Sequence, residues 1–325
     1  MKKNIAVIIL AAGKGVRMKS ETPKVLHPIC GRPMLGYVLD LIRDLKAERV
    51  IAVLGHKHEL VKKQLPPGLV SVVQKKLCGT ADAVKTALPL LKSFRGTVLV
   101  LYADTPLLKK ETISKLLKYH TENNLDATLL TAQVDHPFGY GRILRDAYAG
   151  VCGIMEEKDA SDVQKDIKEI NTGIICFKKE SLLGALSYVR PNNRKKEYYL
   201  TDIIGILYKG ESLVDAVKVS DAKEALGINS RSELAGANAL MQRRINEEFM
   251  KKGVSIVDPK TVFINHGTVI GEDSVIYPFT VIERDVKIGK RCKVGPFAHS
   301  RPGVVLKDDV GDGNSIEIVR TKISS

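Results

Sequence analysis

The sequence contains no tryptophan, and only 5% of its residues are aromatic. Its basic residues are interspersed with acidic ones, so it has neither the aromatic stacking platform nor the basic stripe typical of nucleic-acid binding. No apolar run approaches the roughly 20 residues that a membrane-spanning helix needs. No small-residue cleavage site follows the N-terminal lysines. We therefore expect a cytoplasmic protein that neither inserts into membranes nor binds nucleic acid.

Cysteine is also sparse, with five residues scattered along the chain. Their number is odd and no pair has C-x-x-C spacing, which argues against a disulfide framework and against a zinc site. What the sequence has in excess is positive charge, with 51 Lys and Arg against 37 Asp and Glu. Such a field attracts phosphorylated substrates.

The length of 325 residues is large for a single hydrophobic core and favours two or more domains. The N-terminal part alternates short apolar runs with amphipathic stretches, a pattern typical of an α/β fold with a largely parallel sheet. Ligands of such sheets bind at the carboxyl ends of the strands, so the residues that follow the strands are the candidate site. The predicted strands are 5–10, 50–54, 70–73, 98–102, 127–132 and 173–177.

The remainder of the chain changes period twice. Apolar residues at helical spacing predict one long helix that begins near Ser230 and ends at Gly253. Aliphatic residues then recur every six positions over 264–294, which is the signature of a parallel β-helix. We interpret the chain as a catalytic domain over 1–229, a linker helix over 230–252 and a partial β-helix over 253–325.

The six-residue step changes near the C-terminus. After Ser300, the aliphatic residues Val304, Val310 and Ile316 predict that the step resumes in a shifted frame. An irregular loop is expected to separate the two frames.

A glycine-containing loop follows the first predicted strand and reads L-A-A-G-K-G-V-R-M over 10–18. Glycines let a backbone approach a nucleotide closely and leave its amides free to face phosphates. Arg17 and Lys24 supply positive charge for a triphosphate. A strand-to-helix glycine turn needs no ligand, however, so the loop alone leaves a purely structural role open.

A second apolar strand ends at Tyr102, Ala103 and Asp104. A carboxylate at this edge suits magnesium, a hard cation that commonly takes one or two protein oxygens. Asp104 alone is explained equally well as the N-cap of the next helix. The combination with the glycine loop favours a metal and phosphate site.

Nine ordered segments resemble the bacterial bifunctional N-acetylglucosamine-1-phosphate uridyltransferase/glucosamine-1-phosphate acetyltransferases, from one end of the chain to the other. The segments are L-A-A-G-K-G-V-R-M with P-K-V-L-H, Gln74, Gly79-Thr80, Y-A-D, G-Y-G-R-I, M-E-E-K-D-A, E-I-N-T-G-I, E-Y-Y-L-T-D-I-I and G-I-N-S-R. The six-residue repeat after a helix is similar to the family's arrangement and supports the resemblance independently.

The resemblance implies a Rossmann-like nucleotidyltransferase domain, a linker helix and a short left-handed parallel β-helix. It implies transfer of uridylyl from UTP to N-acetylglucosamine 1-phosphate, giving UDP-N-acetylglucosamine, a precursor of peptidoglycan and the cell wall, and pyrophosphate. The resemblance also implies magnesium as the cofactor. It implies that the chain can assemble as a homotrimer through the β-helix. The attacking phosphate is already ionised, so catalysis is expected from positioning and charge neutralisation.

The resemblance also assigns residues in this sequence. Arg17, Lys24 and Asp104 would be catalytic, and Asp104 and Asn229 would hold magnesium. The uridine would be bound by Leu10, Ala11, Ala12, Gly13, Gln74, Gly79 and Thr80, with Tyr102 beside them. The sugar would be bound by Gly141, Glu156, Asn171, Tyr199 and Thr201.

The sequence departs from the family's pattern in three places. Ala103 stands where the family commonly has glycine, and Val16 where it has threonine; a positive φ at Ala103 would strain the loop that carries Asp104. Arg301 matches a phosphate-binding position of the acetyltransferase site, whereas Val319 and Arg320 replace a lysine pair.

The family's catalytic histidine and coenzyme site would lie beyond residue 325, so we expect a truncated β-helix and no acetyl transfer. Two other functions stay open at this stage. One is a related sugar-1-phosphate nucleotidyltransferase that joins glucose 1-phosphate to UTP or dTTP. The other is a catalytically silent β-helix scaffold.

Overall fold

A computed structural model describes residues 4–319 and 321–323. Contacts between Cα atoms divide it into two compact units, one formed by residues up to 26 together with 34–229, the other by 27–33 together with the chain from 230 onward. Among the described residues, no helix is long and apolar enough to cross a membrane.

The α-helices are α1 Met34–Leu45, α2 His58–Lys62, α3 Thr80–Ala87, α4 Lys110–Glu122, α5 Asp162–Lys165, α6 Lys179–Leu186, α7 Asp202–Lys209 and α8 Arg231–Lys251. Short 3₁₀ helices cover Val16–Met18, Lys24–Leu26, Leu88–Leu91 and Ala222–Glu224.

The strands up to residue 218 are β1 Ile5–Ala11, β2 Pro28–Ile29, β3 Arg32–Pro33, β4 Arg49–Leu54, β5 Val70–Val73, β6 Thr97–Tyr102, β7 Ala127–Gln133, β8 Arg142–Arg145, β9 Val151–Met155, β10 Glu169–Lys178 and β11 Val214–Lys218. The short strands that follow are β12 Ser255–Ile256, β13 Phe263–Ile264, β14 Val269–Ile270, β15 Val275–Ile276, β16 Val281–Ile282, β17 Lys287–Ile288, β18 Lys293–Val294, β19 His299–Ser300, β20 Val305–Leu306, β21 Glu317–Ile318 and β22 Lys322–Ile323.

The large sheet of the first unit has the strand order β11-β7-β10-β6-β1-β4-β5. Its pairings are parallel except at β10, which runs antiparallel to both β6 and β7. A hairpin of β8 and β9 joins it through β10. All residues of β1 are buried because helices cover both faces of the sheet, and buried residues fill the space on each side. The six predicted strands are found, and the expected α/β class with a mainly parallel sheet is confirmed.

The second unit is a left-handed parallel β-helix preceded by α8. Ser230 caps α8, because its side chain accepts a hydrogen bond from the Glu233 N–H. The short strands stack in three parallel sheets, so that β13 pairs with β16 and β16 with β19. The β2–β3 ribbon belongs to this unit, where the Cys30 N–H donates to Asn238 Oδ1 at 2.8 Å.

The inward column of the β-helix keeps a single frame. The residues from Ile264 to Val294 that share the six-residue step are buried, and Ser300, Leu306 and Ile318 continue the same step inward. Asp312 occupies the position between the last two, where its Oδ1 accepts a hydrogen bond from the Gly295 N–H.

The predicted frame shift after Ser300 is therefore wrong. Val304 and Val310 are buried in a second inward column, two residues before the first, and Ile316 is 37% exposed. The error arises because two residues, two positions apart, face the interior at each corner of the β-helix. Where a polar residue occupies the first inward column, the aliphatic residues of the second column resemble a shifted six-residue frame.

Candidate functional site

The glycine loop leaves β1 at the carboxyl edge of the sheet. Gly15 has φ +62°, and a Cβ atom placed on it would lie 2.6 Å from the Cβ of Lys24. Gly15 is therefore needed both for its backbone conformation and for the close approach of Lys24. A Cβ atom placed on Gly13 would meet nothing within 4 Å, so a ligand can come close to this part of the backbone.

Three of the four predicted catalytic and metal residues, Lys24, Asp104 and Asn229, converge at one point beside this loop. The Lys24 ammonium forms an ion pair with Asp104 Oδ2 and donates a hydrogen bond to Asn229 Oδ1 at 2.9 Å. Asp104 follows β6, and its carbonyl accepts a hydrogen bond from the Ile228 N–H at 2.9 Å. This backbone bond brings Asn229, distant in sequence, to the edge of the sheet.

Ala103 does not strain this edge. Its φ is not among the positive values found for non-glycine residues, and its N–H donates to the Leu10 carbonyl at 3.0 Å. The expected strain is therefore not found, because this position continues the extended pairing of β6 with β1. The other departure, Val16, is 76% exposed and so leaves the core unchanged.

A first cavity of about 570 Å³ lies over the glycine loop. All residues predicted to contact uridine line this cavity, together with Lys24, Tyr102, Asp104 and Asn229. Gln74 is held in its wall by hydrogen bonds from its Nε2 to the Gly79 carbonyl at 3.0 Å and to Asp82 Oδ2 at 2.7 Å. Burial raises the pKa of the Tyr102 hydroxyl, so this side chain stays neutral.

A second cavity of about 820 Å³ adjoins the first. Its lining includes Arg17 and the residues predicted to bind the sugar, which are Gly141, Glu156, Asn171, Tyr199 and Thr201. The structure therefore places Arg17, which is exposed, on the sugar side and not in the first cavity. The two cavities share a wall, lined by Val16, Thr80, Tyr102, Asp104, Lys195, Glu197 and Asn229.

A half-buried carboxylate, that of Glu156, lies in the second cavity. The Thr201 hydroxyl donates to Glu156 Oε1 at 2.9 Å. Burial raises the pKa of Glu156, while the hydrogen bond from Thr201 opposes the shift. Burial also raises the pKa of the nearby Asp202 to about 6, and the charge of Glu156 adds to this rise.

An irregularity in β10 gives the second cavity its shape. The register with β7 shifts between Asn171 and Ile175, and Gly173 within the shift has φ +83°. A Cβ atom on Gly173 would lie 2.6 Å from the Tyr102 ring. Asn171 Oδ1 accepts from the Gly173 N–H at 3.0 Å, which leaves the Asn171 amide group free to donate into the cavity.

Hydrogen bonds donated by backbone N–H groups connect the walls of the two cavities. The Ala81 N–H donates to the Tyr198 carbonyl at 2.9 Å, and the Leu200 N–H donates to Thr80 Oγ1 at 2.9 Å. The segment that carries Tyr199 and Thr201 thus pairs with the segment that carries Gly79 and Thr80.

Two charged residues of the shared wall, Lys195 and Glu197, were missed by sequence reasoning. Glu197 begins the quoted motif E-Y-Y-L-T-D, which was the one available signal. Lys195 lies in a run of basic residues that gives no indication of a site.

The described residues contain no group of three or more His, Cys, Asp or Glu side chains that could hold a metal. The pairing of one carboxylate and one amide oxygen at Asp104 and Asn229 nevertheless fits magnesium, which completes its shell with water and phosphate oxygens. The ammonium of Lys24 between these oxygens shows that both point to a place where a cation is stable.

The chain matches two family models. Residues 7–169 match the MobA-like NTP transferase domain, and residues 267–299 match the bacterial transferase hexapeptide of six repeats. The fold and these matches define a sugar-1-phosphate nucleotidyltransferase that carries a hexapeptide β-helix.

Curated relatives resemble the chain over nearly its whole length. The bifunctional protein GlmU of Geobacillus sp. (strain WCH70) is 42% identical over 99% of this chain and 77% of the relative. The bifunctional protein GlmU of Pelotomaculum thermopropionicum is 43% identical over 98% of the chain and 77% of the relative, and that of Clostridioides difficile is 40% identical over 97% and 67%. The chain belongs to the bifunctional GlmU family. The expected enzyme class, a UDP-N-acetylglucosamine diphosphorylase, is confirmed by this membership.

Proposed function

We propose that the chain transfers the uridylyl group of UTP to N-acetylglucosamine 1-phosphate, with UTP in the first cavity and the sugar phosphate in the second. The observation that carries this proposal is that both cavities open onto Asp104 and Asn229. Uridylyl transfer needs the α-phosphorus of one substrate and a phosphate oxygen of the other at a shared place, next to cations. The adjoining cavities provide such a place.

Asp104 and Asn229 would hold magnesium, which supplies charge neutralisation at the reacting phosphates. Lys24 then donates hydrogen bonds to the same phosphates, because its side chain lies close to Gly15 and therefore beside the loop. Arg17, at the edge of the second cavity, is positioned to contact phosphate from the sugar side. No general base is required, because the attacking phosphate oxygen is ionised.

The second cavity has the chemistry of a site for an acetamido sugar. The Glu156 carboxylate can accept from a sugar hydroxyl, and the Asn171 amide can donate to an oxygen. Such groups reject a wrong sugar by leaving a buried polar atom without a partner.

The test is pyrophosphate release over a panel of N-acetylglucosamine 1-phosphate and glucose 1-phosphate, each with UTP and dTTP. We expect N-acetylglucosamine 1-phosphate with UTP to be the preferred pair and turnover to need added magnesium. Preference for glucose 1-phosphate or dTTP would support the alternative nucleotidyltransferase, and no release from any pair would support a silent scaffold.

We further propose that residues 1–325 catalyse no acetyl transfer. Arg301 supports this, because its Nε donates to Glu317 Oε1 at 2.7 Å and its Nη1 lies 3.5 Å from Glu283 Oε1. An incoming phosphate would have to displace these carboxylates. Of the replaced lysine pair, Val319 is exposed and residue 320 lies outside the described residues. Transfer of labelled acetyl from acetyl-CoA to glucosamine 1-phosphate by this chain would contradict the proposal.

We propose that the chain consists of the three domains predicted from the sequence.

We also propose that the chain assembles as a homotrimer through the β-helix. Phe279 and Phe297 support this assembly, because each is 55% exposed and their rings stack with centroids 5.0 Å apart. Exposed aromatic pairs of this kind favour burial against another surface. Light scattering that finds a monomer at all concentrations would contradict this proposal without affecting the catalytic one.

A further inference from the structure

The side-chain amide of Gln74 is held in one orientation. Gln74 is 5% exposed, and its Nε2 donates both to the Gly79 carbonyl at 3.0 Å and to Asp82 Oδ2 at 2.7 Å. A carbonyl oxygen and an ionised carboxylate only accept hydrogen bonds. The NH₂ group of Gln74 must therefore face them, because the rotated amide would bring its oxygen against two other acceptors.

This orientation turns Oε1 of Gln74 away from Gly79 and Asp82. Among the described residues, none donates a hydrogen bond to this oxygen, and Gln74 lines the first cavity. An acceptor fixed in a cavity wall favours a ligand that presents an N–H group there. Uracil carries a hydrogen on ring nitrogen N3, whereas cytosine has a lone pair at the same atom.

We propose that Asp82 is a positioning residue that fixes the Gln74 amide and thereby makes the first cavity select uracil over cytosine. The inference rests on the proposed function, in which UTP occupies this cavity. Asp82 acts through Gln74 and need not contact the nucleotide. Thymine shares the N3–H group, so this device leaves the choice between uracil and thymine to other contacts.

Asp82 has one competing structural role. It lies in the first turn of α3, where a negative charge stabilises the helix by interacting with its dipole. A helix effect would lower stability and treat both nucleotides equally. A positioning effect changes the ratio between them, and this difference separates the two roles.

The test compares kcat/KM for UTP and for CTP, with N-acetylglucosamine 1-phosphate as the acceptor. In Asp82→Asn the carboxylate is replaced by an amide, which can donate as well as accept. Residue 82 then no longer opposes rotation of the Gln74 amide. We expect the UTP-to-CTP ratio to fall by about tenfold, the worth of one neutral hydrogen bond. The matched control is Lys85→Gln, which removes an exposed charge from the same helix and should leave the ratio unchanged.

A double-mutant cycle completes the test. In the Gln74→Ala background, Asp82→Asn should leave the UTP-to-CTP ratio unchanged, because its effect passes through the missing amide. Thermal unfolding of each variant checks the fold. Asp82→Ser, whose hydroxyl also donates and accepts, is the second variant if Asp82→Asn does not fold.

The outcomes are distinct. A fall in the ratio that disappears in the Gln74→Ala background supports the inference. The inference is overturned if folded Asp82→Asn has an unchanged UTP-to-CTP ratio, or if the fall persists in the Gln74→Ala background. Neither result contradicts the use of UTP by the wild type. A wild-type chain that prefers CTP, or uses neither nucleotide, overturns the proposed function itself.

Discussion

Lys24 and Asp104 form an ion pair at the carboxyl edge of the sheet, and the same ammonium donates to Asn229 Oδ1 at 2.9 Å. The lysine thus lies between the two oxygens proposed to hold magnesium. A cation that binds there without nucleotide must compete with the ammonium. The ion pair is therefore expected to weaken metal binding until a phosphate draws Lys24 away.

This competition predicts that Lys24→Met binds Mn²⁺ more tightly than the wild type in the absence of nucleotide, while its UTP turnover falls. The gain should be about tenfold, the worth of a hydrogen bond to a charged group. Titration followed by electron paramagnetic resonance measures it directly. Lys14→Met, in the same loop and cavity, is the control and should leave the affinity unchanged. Equal or weaker Mn²⁺ binding by Lys24→Met would show that the lysine ammonium does not compete with the metal ion.

Removing the proposed metal ligands should separate charge from shape. Asp104→Asn keeps the size of the side chain and should lower magnesium-dependent turnover by roughly a thousandfold. Asn229→Ala removes a neutral ligand and should cost about tenfold to a hundredfold. Steady-state pyrophosphate release against magnesium concentration gives both values. Circular dichroism confirms the fold, and substantial turnover by Asp104→Asn would refute the metal assignment.

The hydrogen bond between Thr201 and Glu156 should affect the sugar phosphate and not the nucleotide. We expect Glu156→Gln and Thr201→Val to raise KM for N-acetylglucosamine 1-phosphate by about tenfold with KM for UTP nearly unchanged. Thr201→Ser keeps the hydroxyl, so its KM for N-acetylglucosamine 1-phosphate should be close to that of the wild type. A change confined to KM for UTP would place these residues in the other pocket.

His120 should make stability depend on pH. Burial lowers the pKa of this side chain from 6.5 to about 4, and its Nδ1 lies 2.8 Å from Thr128 Oγ1. Between these values the unfolded chain binds more protons than the folded one, so stability falls as the pH falls. The contribution of His120 to the free energy of unfolding should decrease by about 2 kcal/mol from pH 7 to pH 5.

Urea unfolding of the wild type and His120→Asn at both pH values measures this contribution as a difference. The comparison is needed because Asp202, with its pKa raised to about 6, acts in the opposite sense: its effect favours the folded state as the pH falls. Equal pH dependence in the two proteins would show that His120 is protonated without cost in the folded state.

Gly173→Ala should destabilise the first unit. The substitution places a Cβ atom at φ +83° and 2.6 Å from the Tyr102 ring, and such strain costs about 1–3 kcal/mol. Gly184→Ala is the matched control, because Gly184 lies within α6 with nothing within 4 Å. Alanine there should stabilise the helix slightly. Equal melting temperatures for the two variants would mean that the chain around Gly173 relaxes freely.

The sequence predicted six strands of the large sheet, because most of them are runs of buried aliphatic residues typical of a sheet interior. β5 was predicted from its apolar run, although its residues are partly exposed. It missed β8 and β11, which mix charged with apolar residues and are partly exposed, and it missed β9, a short apolar run that contains a glycine. The long helix over 231–251 was found because Ser230 and Gly253 mark its ends.

The predicted site residues line the two adjoining cavities, but their interactions could not be read from the sequence. The contact of Lys24 with Asn229 joins residues far apart in the chain, and depends on the hydrogen bond from Ile228 to Asp104. The register shift places Gly173 against the Tyr102 ring, a contact that no local pattern reveals. Lys195 was missed for the same reason, whereas Glu197 was missed although it begins the motif E-Y-Y-L-T-D.

The backbone pairing between 78–81 and 198–200 has a thermodynamic consequence for the two substrates. If the two substrates occupy the two cavities as proposed, a ligand that orders one segment should also order the other, and each substrate should reduce the entropy that the second loses on binding. Such coupling is reciprocal. The factor by which a non-reacting UTP analogue tightens N-acetylglucosamine 1-phosphate must equal the factor by which the sugar phosphate tightens the analogue. Calorimetric titrations in both orders would give that factor twice, and a value near one would mean that the two segments move independently.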